Sequence, residues 1–516
     1  MRNVFGKSRG LRKSILRGTA AFVLLTLLFG ALLPPDAGFL GAVNADAAGD
    51  EIVLRVCNWE EYIDLGGWEE DEVIDLESGD IIGENSLVED FEAWFEENYG
   101  KKVRVEYSTF GTNEDLYNML TIGDVYDLVC PSEYMIMKLM AEDRVQPLSE
   151  GFFDPENELN YYTNGVSPYI RSIFETHEQN GVSWDKCAAG FMWGVTGFVY
   201  NPEVVSEEEA STWKLMENRD FYRQITVKDN VRDTYFAAVG ALKSELLTSE
   251  DFVSDPDYAM RLQDEMNDTS QEMIDRAQDY LQGIKDNLYS FETDSGKADM
   301  ITGKVVANYQ WSGDAVYTMD QAEEDDYYLN FAVPEESTNI YFDGWVMLKA
   351  GISEDPRKQE AAEAFINFLS RPDNAIRNMY YIGYTSTISG GEDGRILEYL
   401  DWCYGAEEDA EDTVEYPVGY FFGGDPEDED YVITVPEEQL HRQLLAQYPS
   451  GDVIRRASIM VYFDQDESEV INRMWIRVRC FNIKNVPLAV WIVLFLLVIA
   501  GVILYLRHRR MKEQNY

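Results

Sequence analysis

Residues 51–63 read EIVLRVCNWEEYI, and the rest of the predicted fold is organised around this stretch. Its first seven residues alternate between apolar positions and their neighbours, which predicts a short strand leading into a bend. Trp59 and Tyr62 would then lie at the end of a strand, where α/β proteins bind ligands. Two aromatic rings beside two glutamates suit an organic cation, because the ring faces carry negative potential. Packing of both rings in the core is the alternative interpretation.

The next hundred residues extend this strand into an α/β pattern. Helical or strand patterns follow in the order 86–99 (helix), 102–107 (strand), 113–120 (helix) and 126–130 (strand). This βαβαβ order predicts a parallel sheet. Ser132 and Tyr134 follow the third strand and would lie at the same edge of the sheet as Trp59 and Tyr62. A helix N-cap and core packing are the alternative roles of Ser132 and Tyr134.

Two later segments place acidic residues within predicted secondary structure, one in a helix and one in a strand. Residues 230–233 open a predicted helix and place Asn230 and Asp233 on one face, three positions apart. Residues 340–348 predict a strand with Asp343 inside an apolar run, where a carboxylate needs a cation to offset its burial.

The composition excludes several classes of function. The 516 residues carry a formal net charge of −53, which argues against nucleic-acid binding because that needs a basic surface. Five scattered cysteines and three histidines predict neither a disulfide framework nor a zinc site, and we expect no cofactor. The acidic stretches 68–84 and 390–430 are predicted to be solvated insertions. DPEDED (425–430) lacks the EF-hand spacing, so an acidic loop is favoured over a calcium site.

The two ends of the chain predict its compartment. Residues 1–47 combine a basic start, an apolar run and small residues before Ala48, which indicates a signal peptide; an uncleaved anchor is the alternative. Residues 486–506 form an uncharged apolar run long enough to cross a membrane. The basic tail 507–516 is expected to stay in the cytoplasm. The domain between these segments would therefore lie outside the cytoplasm, tethered to the cell membrane by its C-terminal helix.

Six runs of this sequence match those of a known family in their order along the chain. They are NWEEY (58–62), YDLVCPSEY (126–134), WGVTGFVYN (193–201), NVRDTYFAAVGAL (230–242), INFLSRPDNA (366–375) and IGYTS (382–386). In this order they resemble the spermidine/putrescine-binding proteins, the substrate-binding components of polyamine ABC importers. The resemblance implies a non-enzymatic α/β protein with a two-lobed, hinged, type II periplasmic-binding-protein-like fold. Its partners would be a polyamine ligand and ABC permease subunits.

The resemblance also implies which residues contact the ligand. By position they are Trp59, Tyr62, Ser132, Tyr134, Asn230, Asp233, Trp311, Tyr341, Asp343 and Tyr384. It implies one lobe formed by 48–195 with about 340–388, and a second formed by about 196–339 with 389–478.

Two of the matched positions depart from the family pattern. Asn230 stands where spermidine binders have an aspartate, and Met460 stands near a family glutamine. Losing one carboxylate weakens the case for a ligand with three amines, so putrescine or another diamine stands beside spermidine as the expected ligand. Asp229 and Asp314 are the residues that could compensate.

Three other functions are the alternatives. A binding protein of the same fold for an amino acid would need an arginine for the ligand carboxylate, and Arg232, near the expected site, is predicted to face away; a sugar binder is a further alternative. An extracellular hydrolase would use paired carboxylates. Among 95 acidic residues such a pair carries little information, and the sequence contains no GxSxG, HExxH or P-loop pattern.

Overall fold

The computed structural model describes residues 51–69, 72–293, 295–407, 409–426 and 428–480, and five separate positions between 491 and 501. The predicted signal segment, 1–47, and the predicted tail, 507–516, lie outside these residues, as does most of the predicted membrane segment 486–506. In the part of the chain that is described, no helix has the length and apolar character needed to cross a membrane.

The strands of the described chain are numbered in chain order. They are β1 (Glu51–Trp59), β2 (Lys102–Phe110), β3 (Leu128–Val129), β4 (Val145–Gln146), β5 (Glu178–Gln179), β6 (Val182–Ser183), β7 (Ala189–Tyr200), β8 (Ile225–Lys228), β9 (Ser290–Glu292), β10 (Ala307–Trp311), β11 (Asn330–Ala332), β12 (Thr338–Leu348), β13 (Thr385–Ser386), β14 (Thr413–Pro417), β15 (Val432–Pro436) and β16 (Ala457–Ser458).

The α-helices connect and cover these strands. They are α1 (Leu87–Tyr99), α2 (Asn113–Ile122), α3 (Glu133–Ala141), α4 (Tyr161–Gly165), α5 (Pro168–Thr176), α6 (Glu207–Ala210), α7 (Val231–Leu242), α8 (Ser244–Leu247), α9 (Glu250–Val253), α10 (Tyr258–Met266), α11 (Gln271–Ile284), α12 (Ser295–Ile301), α13 (Ser312–Glu323), α14 (Lys349–Ile352), α15 (Arg357–Leu369), α16 (Pro372–Ile382), α17 (Arg395–Tyr404), α18 (Gly419–Phe422), α19 (Gln443–Gln447), α20 (Gly451–Arg455) and α21 (Gln465–Arg479). Short 3-10 turns lie at Glu150–Phe153, Trp184–Lys186, Trp213–Glu217, Arg219–Phe221, Gly391–Asp393 and Glu437–His441.

The predicted βαβαβ unit is confirmed at the start of the described chain. β1 pairs in parallel with both β2 and β3. α1 begins at a capping box, in which the Ser86 side chain accepts from the backbone N–H of Glu89 and the Glu89 carboxylate accepts from that of Ser86. It ends at Gly100, whose φ of 63° is the left-handed conformation that glycine adopts without strain.

Two long buried strands connect the two halves of the sheet. The strand order is β2-β1-β3-β12-β7-β10-β8-β9, with β12 antiparallel to β7 at its centre. Every residue of β7 and β12 is buried. On one side lie the parallel strands β1, β2 and β3, and on the other β8 runs parallel to β9 and β10. The architecture is therefore the two-lobed α/β fold predicted from the sequence.

The two acidic insertions are less solvated than the sequence analysis expects. Between residues 68 and 84, Asp75, Glu77, Asp80 and Glu84 are exposed, as predicted. The prediction is wrong for the apolar members Trp68, Ile74, Leu76 and Ile81, which are buried. Their apolar area favours packing against the fold over solvation.

The second insertion likewise has a buried apolar part. Tyr416, Val418 and Phe421 are buried, and the Phe421 carbonyl accepts a 2.5 Å hydrogen bond from Ser167 Oγ. Further on, Gln443 of α19 donates to Asp320 of α13 at 3.1 Å. The segment from 390 to 447 therefore packs against several elements of the fold.

Candidate ligand-binding cleft

A cavity of about 700 Å³ opens where the ends of the central strands meet. All ten residues that the sequence singles out line this cavity: Trp59, Tyr62, Ser132, Tyr134, Asn230, Asp233, Trp311, Tyr341, Asp343 and Tyr384. They come from segments up to 325 residues apart in the sequence, from Trp59 to Tyr384. The fold thus brings the aromatic rings and the carboxylates of the prediction into one place.

Asp343 is the best-defined carboxylate of this cavity. It lies on β12 and is only 5% exposed. The Tyr62 hydroxyl donates to its Oδ2 at 2.6 Å, and the Ser132 hydroxyl donates to its Oδ1 at 2.7 Å. Burial raises the pKa of Asp343 to about 6, although both hydroxyl donors favour the ionised form. No basic side chain of the described residues forms an ion pair with it, so a ligand cation would complete its environment.

Ser132 acts through its hydroxyl rather than as a helix cap. It occupies the N-cap position of α3, but its side chain makes no capping hydrogen bond. Asn113 positions it instead, since its Nδ2 lies 3.0 Å from both Ser132 Oγ and Tyr134 Oη. Asn113 is a lining residue that the sequence analysis missed. Its position in the first turn of α2, which follows β2 at the same sheet edge as Trp59, could have identified it from the sequence.

Aromatic rings form two groups in the cavity wall. Tyr384 lies with its ring centroid 4.8 Å from that of Tyr62 and 6.4 Å from that of Tyr341, both edge to face. Trp59 and Trp311 lie 6.4 Å apart, also edge to face. Trp59 ends β1 and Trp311 ends β10, so this second pair joins the two halves of the sheet across the cavity.

Asn230 and Asp233 lie together at the start of α7, as their spacing predicts. Asn230 is the N-cap, and its Oδ1 accepts from the backbone N–H groups of Arg232 at 2.8 Å and Asp233 at 3.3 Å. Asp233 is 4% exposed, and burial raises its pKa to about 6 against the opposing effects of Lys228 and of a hydrogen bond from Trp311. It is therefore a second buried carboxylate that a cation would stabilise.

Two basic side chains, Arg232 and Lys297, also line the cavity. The sequence analysis missed Lys297 and predicted the wrong orientation for Arg232. Arg232 lines the cavity, so the prediction that it faces away is wrong. Its guanidinium lies 4.5 Å from the Tyr134 ring centroid and donates to the Val461 carbonyl at 2.7 Å. Stacking on the ring holds it in the wall because the planar guanidinium matches an aromatic face.

Asp314 is in the wall but already has cationic neighbours. Lys297 Nζ lies 3.2 Å from its Oδ1, and Lys228 Nζ lies 4.0 Å from its Oδ2. Burial opposes ionisation, yet these two lysines lower the pKa of Asp314. Asp229 pairs with Arg479 at 2.7 Å and does not line the cavity. Neither residue therefore replaces the carboxylate lost at Asn230 without first giving up a partner.

Glu133, Glu72 and Met460 also line the cavity. Glu133 is buried, and burial raises its pKa to about 8. Its Oε2 accepts from the backbone N–H of Phe342 at 3.0 Å, next to Asp343. Near neutral pH it is therefore mostly protonated. Glu72 comes from the insertion that the sequence analysis treated as solvated.

The cavity is suited to a flexible organic cation. Its lining includes seven acidic residues, Glu60, Glu61, Glu72, Glu133, Asp233, Asp314 and Asp343, and two basic ones, Arg232 and Lys297. Tyr and Trp rings line the same cavity as the buried carboxylates Asp343 and Asp233. Among the described residues, no group of three or more metal-ligating side chains is arranged to hold a metal ion.

Comparison with known proteins places the chain in a family. The spermidine/putrescine-binding periplasmic protein of Salmonella typhimurium is 23% identical over 355 residues, covering 68% of this chain and 82% of that protein. A solved spermidine/putrescine substrate-binding protein of Streptococcus pneumoniae has a TM-score of 0.51 at 21% identity, covering 83% of this chain and 100% of that one. The Tp0655 lipoprotein of Treponema pallidum has a TM-score of 0.53 at 17% identity, covering 83% and 99%.

These relatives confirm the predicted resemblance, and the last two show the same fold. The model of the bacterial extracellular solute-binding proteins matches residues 86–393, more than half of the chain. The matched segment contains both long central strands and eight of the ten cavity residues named from the sequence. The chain therefore belongs to the bacterial extracellular solute-binding protein family.

Proposed function

We propose that this protein is an extracytoplasmic receptor for a polyamine, putrescine or spermidine, which it holds between its two lobes and delivers to an ABC permease. The observation that carries the proposal is the environment of Asp343. A buried carboxylate with two hydroxyl donors and an aromatic wall would gain most from an ammonium group, since burial of an unpaired charge is costly. The names of the curated relatives support the same ligand class.

Two buried acids in one cavity lined by aromatic rings suit a chain with amines at its ends. One ammonium would pair with Asp343, and the methylene chain would pass between the rings toward Asp233. A hydrogen bond to a charged group contributes roughly 1.5–3 kcal/mol, and a cation–π contact roughly 0.5–2 kcal/mol. The ten cavity residues named from the sequence are the proposed ligand contacts. Affinity would then depend on the distance between the two amines of the ligand as well as on their charge.

We further propose that residues 48–195 with about 340–388 form the first lobe, and about 196–339 with 389–478 the second. The pairing of β7 with β12, where the chain passes between the two halves of the sheet, supports this division. The edge-to-face contact of Trp59 with Trp311 would join the two lobes over the ligand. Closure would exclude water and strengthen each charge pair.

The location of the binding site outside the cytoplasm is proposed from the sequences of the two ends of the chain. We propose that 1–47 directs export, that 486–506 anchors the chain in the cell membrane, and that 507–516 stays in the cytoplasm. A tethered receptor would remain close to its permease, which raises the effective concentration of one for the other. Protease treatment of intact cells tests this orientation, because only residues outside the membrane would be cleaved.

Titration calorimetry of the full-length protein in detergent tests ligand binding. Putrescine and spermidine should bind, and Asp343→Asn should weaken binding of both at least fiftyfold because the cation loses its buried counter-charge. Asp279→Asn, at an exposed position outside the cavity, is the control and should leave affinity unchanged. Absence of polyamine binding by the parent would refute the proposal.

An amino-acid ligand is the second candidate, and one observation favours it. Arg232 and Lys297 line the cavity, so a ligand carboxylate would find basic partners there. A ligand with both charges, such as lysine, would place its amine on Asp343 and its carboxylate near these residues. Including lysine in the same titration decides between the two, because a polyamine receptor should bind it far more weakly than putrescine.

A further inference from the structure

Lys228 is a buried cation behind the proposed ligand site. It is the last residue of β8 and is only 1% exposed. Its Nζ lies 3.0 Å from the centroid of the Trp311 ring. Trp311 lines the cavity and Lys228 does not, so the ammonium acts on the ring from within the wall.

The same ammonium acts on both acids at this end of the cavity. It lies 4.0 Å from Asp314 Oδ2, and it lowers the pKa of Asp233. Lys297 adds a second positive charge beside Asp314. Neither a lysine nor an arginine of the described residues acts on the pKa of Asp343. Asp343 therefore differs from Asp233 and Asp314 in having no built-in positive charge beside it.

Because the Lys228 ammonium already contacts Trp311, the ring attracts a ligand ammonium less strongly. The negative potential above each face of an indole attracts a cation within about 6 Å, and Lys228 already lies over one face of Trp311. A second cation on the cavity side of the ring would lie within the roughly 8 Å over which charges interact at physiological ionic strength. Repulsion between the two would offset part of the attraction of Asp233 for the ligand.

We propose that Lys228 determines specificity by acting as a built-in cation at the Trp311 end, so that the cavity prefers ligands with two amines to ligands with three. This inference rests on the proposed polyamine-binding function. The anchor of the ligand would be the ammonium at Asp343, and its other end would need little positive charge. The strand-end position of Lys228, two residues before the Asn230 cap, places it where a substitution changes the site without interrupting a helix.

Substitution of Lys228 tests the proposal. Lys228→Met keeps the aliphatic length and removes the charge, while Lys228→Arg keeps the charge and is the matched control. Titration calorimetry on the full-length protein measures the ratio of the dissociation constants for spermidine and putrescine. Lys228→Met should shift this ratio at least fivefold toward spermidine, and Lys228→Arg should leave it within threefold of the parent. A shift below fivefold in a folded Lys228→Met variant would overturn the proposal.

A second measurement needs no variant and covers the case in which Lys228→Met does not fold. N-acetylputrescine has one ammonium in place of the two of putrescine. The parent should bind it less than tenfold more weakly than putrescine, because the Trp311 end needs little ligand charge. A loss of tenfold or more would overturn the inference while leaving polyamine binding intact. If the parent bound none of these amines, the proposed function would fail, and the inference with it.

A purely structural role of Lys228 predicts a different pattern. If the lysine only neutralised Asp314 and Asp233 to stabilise the fold, Lys228→Met would lower stability and weaken all amines by the same factor. The ratio of two affinities measured on one variant is insensitive to such a uniform loss. An unchanged ratio with reduced thermal stability would therefore assign Lys228 to the fold and remove it from specificity.

Discussion

The Tyr62 hydroxyl donates a 2.6 Å hydrogen bond to the carboxylate of Asp343, although 281 residues separate them in the sequence. This contact joins the loop after β1 to the centre of β12. The Ser132 hydroxyl completes the pair of donors from the loop after β3. Three strands that lie side by side in the sheet thereby define the position and the charge of one buried carboxylate.

Ligand affinity should fall in mild acid. Burial raises the pKa of both Asp343 and Asp233 to about 6, while an alkyl ammonium titrates near pH 10.4 and stays charged. Protonation of Asp343 between pH 7.5 and pH 5 should weaken binding by roughly tenfold, and protonation of Asp233, which lies beside Lys228, should add less than that. Calorimetric titrations at four pH values across this range measure the effect.

Tyr62→Phe provides the matched control for this pH dependence. It removes a donor that favours ionised Asp343, so the pKa of Asp343 should rise further and the midpoint of the affinity curve should move to higher pH. An unchanged midpoint in the variant would show that Asp343 does not control the pH dependence.

Replacement of Glu133 by glutamine should stabilise the ligand-free protein. The pKa of Glu133 is raised by burial to about 8, so its contribution to stability is present below pH 4.5 and is lost as the pH rises through 8. Glu133→Gln removes this penalty and keeps an oxygen to accept from the Phe342 N–H. Urea unfolding should show a gain on the order of 4 kcal/mol at pH 8 and little change at pH 4.5.

Ligand affinity should stay within threefold in Glu133→Gln, because the side chain is already neutral near pH 7. A large loss of affinity at pH 7 would contradict this, since it would mean that Glu133 is ionised and pairs with the ligand.

Asn230→Asp should shift preference toward spermidine. Aspartate caps a helix as well as asparagine does, so the hydrogen bonds to the Arg232 and Asp233 N–H groups are kept. The added negative charge at the cavity edge should improve spermidine binding about fivefold relative to putrescine. Asn230→Ala is the control: it should cost about 1 kcal/mol of stability through the lost cap and leave the preference unchanged.

Arg377→Met should destabilise the fold and loosen the loop that carries Tyr62. Arg377 of α16 is buried and bonds to Asp64, to the Asn85 carbonyl and, at 2.7 Å, to Asp90. Its loss would leave the fully buried Asp64 without its charge partner, which typically costs about 3–5 kcal/mol. Urea unfolding measures this loss.

The double variant Arg377→Met with Asp64→Asn should recover part of that stability, because the unpaired buried charge is removed as well. Lys304→Met, which breaks the exposed pair with Asp299, should cost less than about 1 kcal/mol. Equal losses in Arg377→Met and Lys304→Met would contradict the importance of burial.

Individual residues show which features could be predicted from the sequence and which could not. The alternation in β1 and the order of helical and strand patterns after it predicted the parallel unit, because these patterns depend on neighbours in the chain. The matched runs contain seven of the ten cavity residues, and the resemblance implied Trp311, Tyr341 and Asp343 by their positions outside those runs. Glu72 and Lys228 were missed and Arg232 was misplaced, since nothing local distinguishes a polar side chain in a cavity wall from one in solvent. Asn113 was also missed, although its place in the first turn of the helix after β2 could have identified it.

From the amino-acid sequence, local periodicity predicted the α/β pattern. The resemblance of its ordered runs to a known family implied the two-lobed fold and the aromatic and acidic residues that line the cleft. Which charges face one another became visible in the three-dimensional structure: Asp343 accepts from two hydroxyl groups, whereas Asp314 lies beside two lysines. Burial and Coulomb interactions depend on distances in space, and those distances arise when segments hundreds of residues apart pack together.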